Sequence, residues 1–134
     1  MTESFAPPPR EHHSPTYRSS NFDAELRSLE LRTERVRAAG RAAFADGNDS
    51  YDVATVVILR LAALLERQDV AQLDAVLTAE EAAAIRTTRN IAAHAGYKSM
   101  NDDLFWLAVT ERIPDILRRL RAHGRERPTD DCWP

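Results

Sequence analysis

The sequence predicts an all-α protein, an up-down helical bundle of four to five helices with a disordered N-terminal tail. Three observations carry this. Alanine supplies 21 of the 134 residues and arginine 17, against only four glycines. Ala, Leu, Arg and Glu lose little on entering a helix, whereas glycine and β-branched residues lose more. Apolar residues recur at steps of three and four, and short turn clusters separate the periodic stretches. A chain of 134 residues is too short for two cores of normal size but long enough for one core of three or four helices.

Residues 1–21 read as a tail, because they hold four of the seven prolines and no apolar period. His12 and His13 lie there, but adjacent histidines with no other ligand nearby do not make a metal site. The first helix is expected from Phe22 to Phe44, capped by Asn21 or Asp23. Its stripe is Phe22, Leu26, Leu29, Thr33, Val36, Ala39 and Ala43. The arginines and glutamates between these positions read as a solvated face with pairs inside the helix. Asp46 to Ser50 is a turn cluster.

The second helix runs from Tyr51 to Arg67. Tyr51, Ala54, Ile58, Leu61 and Leu65 form one stripe; Val53, Val57 and Leu64 form another. A helix apolar on two sides is central in a bundle or part of a subunit interface. Asp69 to Leu77 reads as a short helix or turn. The third helix opens on a capping box, Thr78 to Glu81, and runs through Ala82, Ile85, Thr88 and Ala92 toward His94, with Gly96 as a left-handed stop. Ser99 or Asn101 opens the fourth helix, and Asp102 and Asp103 suit its positive N-terminus. Its stripe is Trp106, Val109, Ile113, Ile116 or Leu117, and Leu120. Pro114 falls inside that stripe and must kink or split the helix. Gly124 ends the helix, so the bundle spans 22–124 and a second tail spans 125–134.

The formal net charge of −3 argues against a protein whose whole surface grips nucleic acid, but leaves room for a local patch. A single cysteine, Cys132, excludes an internal disulfide framework and a cysteine-based zinc site. No basic start with an apolar run marks a secretory signal, and no stretch approaches the roughly 20 apolar residues of a membrane span. The expectation is a cytoplasmic protein with no membrane partner.

The string that asks for a function is Arg89-Asn-Ile-Ala-Ala-His94-Ala-Gly-Tyr97. Arg89 continues the inward stripe of the third helix, and an arginine on an apolar stripe is costly without a partner. A structural ion pair, with a glutamate of the first helix, would satisfy it. That explains Arg89 but leaves His94 and Tyr97 unused. His94 stands where the helix ends, so its ring can reach a cleft, and its ordinary pKa of about 6.5 suits proton transfer near neutrality. The bland role for His94 is a cation at a helix C-terminus. A second Arg-x4-His pair, Arg118 and His123, lies at the expected fraying end of the last helix and reads as coincidence.

The string RNIAAHAGY, followed by NDDLFWLAVTERIPDILRRL, resembles the HEPN superfamily, and within it the HepT-like toxin branch. The resemblance covers about Tyr51 to Leu120. It implies a helical bundle that forms a homodimer, with the Arg and His of both subunits meeting at the dimer cleft. It also implies a metal-independent endoribonuclease with no cofactor, the toxin of a toxin–antitoxin pair, and a nucleotidyltransferase antitoxin able to add AMP groups to the tyrosine. On this sequence the implied catalytic residues are Arg89 and His94, with Asn90 in support and Tyr97 as the modification site. The branch has one residue between His and Tyr; here Ala95 and Gly96 intervene, which moves Tyr97 relative to His94. The chemistry agrees with these residue types. RNA carries its own nucleophile in the 2′-hydroxyl, an imidazole can take that proton, and a guanidinium fork matches phosphoryl oxygens. The alternative is a non-catalytic HEPN module that binds a nucleotide or RNA or docks the nucleotidyltransferase. A purely structural helical dimer ranks last, since it leaves the cluster unexplained.

Overall fold

The computed structural model describes residues 15–95 and 100–126. Among these residues every regular element is helical: α1 (Pro15–Ala39), α2 (Asp49–Glu66), a short α3 (Val70–Asp74), α4 (Ala79–Asn90), α5 (Asp102–Leu107) and α6 (Ile113–Glu126). A π-helical segment extends α4 over Ile91–Ala95, and another joins α5 to α6 over Ala108–Arg112. α1 packs against α2 and α6, and α2 packs against α4. The all-α bundle expected from composition and periodicity is what forms. Of the two expected tails, residues 1–14 and 127–134 lie outside the described residues.

Helix α1 is offset from its expected position at both ends. It starts at Pro15, not Phe22, so Asn21 and Asp23 are interior residues and cap nothing. Proline fits the start of a helix, because the N–H it lacks would have no partner there. The helix stops at Ala39, before the expected Phe44. Gly40 is the cause: at φ +91° it adopts a conformation that a side chain would strain. A single 3-10 turn, Arg41–Ala43, then redirects the chain and delivers Phe44 into the core.

Phe44 anchors an aromatic cluster. Its ring lies 4.8 Å from that of Tyr51, 5.4 Å from Phe105 and 5.3 Å from Trp106. Tyr51 meets Phe105 edge-on, with ring centres 5.3 Å apart, and its hydroxyl donates to Asp102 Oδ1 at 2.9 Å. Buried Phe105, which the expected stripe of the fourth helix omits, thus ties α5 to α2. Asn101 caps α5 by accepting from the Leu104 amide at 3.0 Å.

Both expected stripes of α2 lie on one side. Val57 and Leu64 are buried together with Tyr51, Ala54, Ile58, Leu61 and Leu65, while Val53 flanks them half-buried. The second stripe therefore belongs to this chain's own core and marks no interface. The apolar residues that α2 leaves outward are Val56 (38% exposed) and Leu59 (37%), followed by Ala63 one turn on.

The helical backbone runs on through Pro114, but the expected fourth helix is divided into α5, a π segment and α6 just before it. Pro114 cannot send an N–H to the Thr110 carbonyl, and in a regular α-helix its ring would also clash with that carbonyl. The π segment widens the helix at this point. The Arg37 guanidinium of α1 donates to the Thr110 oxygen instead. Gly124, expected as the stop, is carried within α6, which continues to Glu126.

The charges of α1 also depart from the expected solvated face. Arg37 does pair with Glu34 inside the helix. But Glu25 receives Arg60 of α2 at 2.5 and 2.9 Å, and Glu30 receives Arg121 of α6 at 2.7 Å. Arg41 donates to Asp103 at 2.5 and 3.1 Å. Much of the arginine content cross-links helices.

Candidate functional site

Helix α4 positions the candidate residues, and its N-terminus is fastened first. The capping box forms as expected: the Glu81 amide donates to Thr78 Oγ1 at 3.0 Å, and the Thr78 amide donates to Glu81 Oε1 at 2.9 Å. Arg119 of α6 then closes over it. All three of its guanidinium nitrogens donate: to Asp115 Oδ2 at 3.1 Å, to the Val76 carbonyl at 2.7 Å, and to Glu81 at 3.1 and 2.6 Å. The hydrogen bonds from Arg119 hold the Glu81 carboxyl below the usual glutamate range, despite the opposing effect of burial. Farther along α4, Ile85 is buried and Arg89 follows one turn on from it.

Arg89 is half-buried and faces α2. Its partner is Glu66, the last residue of α2, not a glutamate of the first helix. Arg89 Nη2 lies 3.4 Å from Glu66 Oε2, and Arg89 Nε is buried with no hydrogen-bond partner among the described residues. Nε and Nη2 form one edge of the guanidinium. In Arg60 that same edge is filled by a carboxylate at 2.9 and 2.5 Å, and in Arg41 at 3.1 and 2.5 Å. Buried polar atoms are nearly always satisfied, so an empty position on a guanidinium fork calls for an explanation.

Asn90 ends α4 and is exposed; His94 lies in the π segment and is exposed. On a regular α-helix, residues five apart point about 140° away from each other. The i→i+5 turn of a π segment returns the fifth residue toward its starting side. His94 stands on the π segment over Ile91–Ala95, and Arg89 stands two residues before that segment on regular α4. Arg118 and His123 lack this feature. They stand on regular α6, which runs to Glu126, and Arg118 is paired with Asp115. The two Arg-x4-His pairs, alike in sequence, thus differ in backbone.

Tyr97 lies outside the described residues, as do His12, His13 and Cys132. Asp102 accepts the Tyr51 hydroxyl and Asp103 binds Arg41, so both are engaged in the fold. Among the described residues no group of three or more His, Cys, Asp or Glu side chains is arranged to hold a metal ion, and no helix is long and apolar enough to cross a membrane. Glu66 is the site residue that sequence reasoning passed over. Its only signal was its place at the end of the second helix, and its meeting with Arg89 depends on how α4 packs.

No family model matches the chain, and no curated protein or solved structure matches it. The fold and the site therefore define its class unaided: an all-α bundle with an incompletely paired arginine and an exposed histidine at one helix end.

Proposed function

We propose that the protein is a metal-independent endoribonuclease of the HEPN, HepT-like kind: a cytoplasmic toxin acting as a homodimer, held in check by a nucleotidyltransferase antitoxin. The observation that carries this reading is the open fork of Arg89 in the same helix end as the exposed His94. In the reaction, the 2′-oxygen attacks the adjacent phosphorus and the bond to the 5′-oxygen breaks. This leaves a 2′,3′-cyclic phosphate and a 5′-hydroxyl. His94 takes the 2′-proton or supplies one to the leaving oxygen, and a second copy of His94 across the dimer can take the other role. Arg89 donates to the non-bridging oxygens, where charge builds. Asn90 supports the same phosphate, and Tyr97 is the residue modified by the antitoxin.

The outward α2 residues Val56, Leu59 and Ala63 favour the dimer. They share a helix face with Glu66, so a second copy seated there would bring two Arg89–Glu66 pairs near one interface. Leu59→Glu should then convert dimer to monomer in light scattering and abolish cleavage.

The decisive assay incubates the purified protein with single-stranded RNA in EDTA. Cleavage with cyclic phosphate ends is expected, lost in Arg89→Ala and His94→Ala and kept in His123→Ala. Full activity of a clean His94→Ala preparation would sink the assignment. Saturable binding of RNA that stays intact would instead establish the binding module.

A further inference from the structure

We infer that Glu66 is a displaceable occupant of the Arg89 fork, and that the fork's ligand is the oxyanion edge of a phosphate ester, which binds only as Glu66 leaves. This rests on the reading of Arg89 as a phosphate-holding group and adds its control.

Three observations support it. The first is fit. The other arginine–carboxylate pairs between helices close to 2.5–2.7 Å, whereas Arg89 and Glu66 stand at 3.4 Å. That contact leaves Nε buried and unmatched. A phosphate presents two oxygens with the spacing to meet Nε and Nη2 together. The second is freedom. The Glu66 side chain is 56% exposed, against 18% for Glu25, 32% for Glu30 and 31% for Glu81. In the single chain it can swing away from Arg89 without opening the core. The third is position. Glu66 is the last residue of α2, where the helix dipole disfavours a negative charge, and no basic residue occupies that last turn. The fold gains little from an acid there, and the ion pair that it makes is with Arg89. The same charge repels an arriving anion, and both cannot occupy one fork.

Isothermal calorimetry of the full chain tests this with two probes, inorganic phosphate and a 2′-O-methyl oligoribonucleotide, which cannot be cleaved. In Glu66→Gln, affinity should rise at least about fourfold, the effect of removing a unit charge roughly 5 Å away even at the dielectric constant of water. Arg89→Ala should lose binding, and Arg89→Ala combined with Glu66→Gln should show no gain. A gain for both probes assigns the fork to a diester; a gain for inorganic phosphate alone supports the displaceable acid and assigns the fork to a free or terminal phosphate. Unchanged or weaker binding of both probes in a Glu66→Gln protein that melts normally would overturn the inference. An Arg89-dependent gain in a protein that never cleaves RNA would overturn the ribonuclease reading alone. Cleavage without the gain would overturn this one alone.

Discussion

The two ends of α4 each place an arginine of similar exposure against a glutamate, yet the pairs differ in distance and in how many donors are matched. At the N-terminal end, Arg119 spends all three nitrogens on Glu81, Asp115 and the Val76 carbonyl, and its closest carboxylate oxygen is 2.6 Å away. At the C-terminal end, Arg89 has one carboxylate oxygen at 3.4 Å and a buried Nε with no partner among the described residues. The first end is a regular helix start inside a capping box; the second runs into a π segment. The contrast separates two uses of one residue type. A guanidinium whose donors are all matched has nothing left for a ligand, and an under-filled one retains that capacity. In a chain with 17 arginines, saturation distinguishes them better than sequence context does.

The largest expected effect is a crossover between the two ends. Arg89→Ala should lower RNA cleavage about a hundredfold or more, the usual scale for removing a donor to a developing oxyanion. Its melting temperature should stay close to that of the parent, since the pair it removes is long and partly exposed. Arg119→Ala should do the reverse. It leaves the Val76 carbonyl and the Glu81 carboxylate without their partner, at a cost of about 1–2 kcal/mol after allowing for solvent at a pair one-third exposed. Thermal melting should fall by several degrees while cleavage below the transition persists. Equal loss of stability in both variants would erase the distinction.

Smaller, but on the same axis, is Thr78→Ala. It deletes the acceptor for the Glu81 amide and should cost about 1 kcal/mol in chemical denaturation. Because Arg119 also grips Glu81, the loss should shrink in the Arg119→Ala background if the two contacts form one unit. Strict additivity would show that cap and ion pair act separately.

This asymmetry was half legible in the sequence. The capping box is a local pattern, fixed by four consecutive residues, so Thr78 and Glu81 could be assigned before any packing was known. Most stripe residues of α1 and α6 were legible for the same reason, but Ala39 is exposed, and the two stripes read on α2 prove to be one buried side. Boundaries were less so. Gly40 is a stop signal within an otherwise periodic stretch, and only its positive φ shows that the chain uses it. Pro114 was seen, but its accommodation depends on Arg37, which is distant in sequence. Arg89 and His94 could be singled out as residue types. That Glu66 faces Arg89, and that His94 falls in a π segment, depends on contacts between α2 and α4 and on how the end of α4 packs. Single-sequence patterns carry neither.

The smallest effect concerns pH and tests the closed end alone. Hydrogen bonds from Arg119 lower the Glu81 carboxyl in the folded protein relative to its ordinary value of 4.5. Unfolding therefore releases a weaker acid, and a group with a lowered folded value stabilises the fold only while it is ionised. Its contribution is complete above the ordinary value and disappears as pH falls through the lowered one. Denaturation curves taken from neutral pH down to about pH 3 should thus show Glu81→Gln less stable than the parent near neutrality. The gap should narrow as the medium becomes acidic, because the parent then loses the charge that the variant never had. Arg119→Ala should follow the same narrowing, since it removes the other half of the pair. A gap that stayed constant down to about pH 3 in both variants would mean that the ionised Glu81 does not support the fold, and the contrast between the two ends of α4 would then fail at its energetic root.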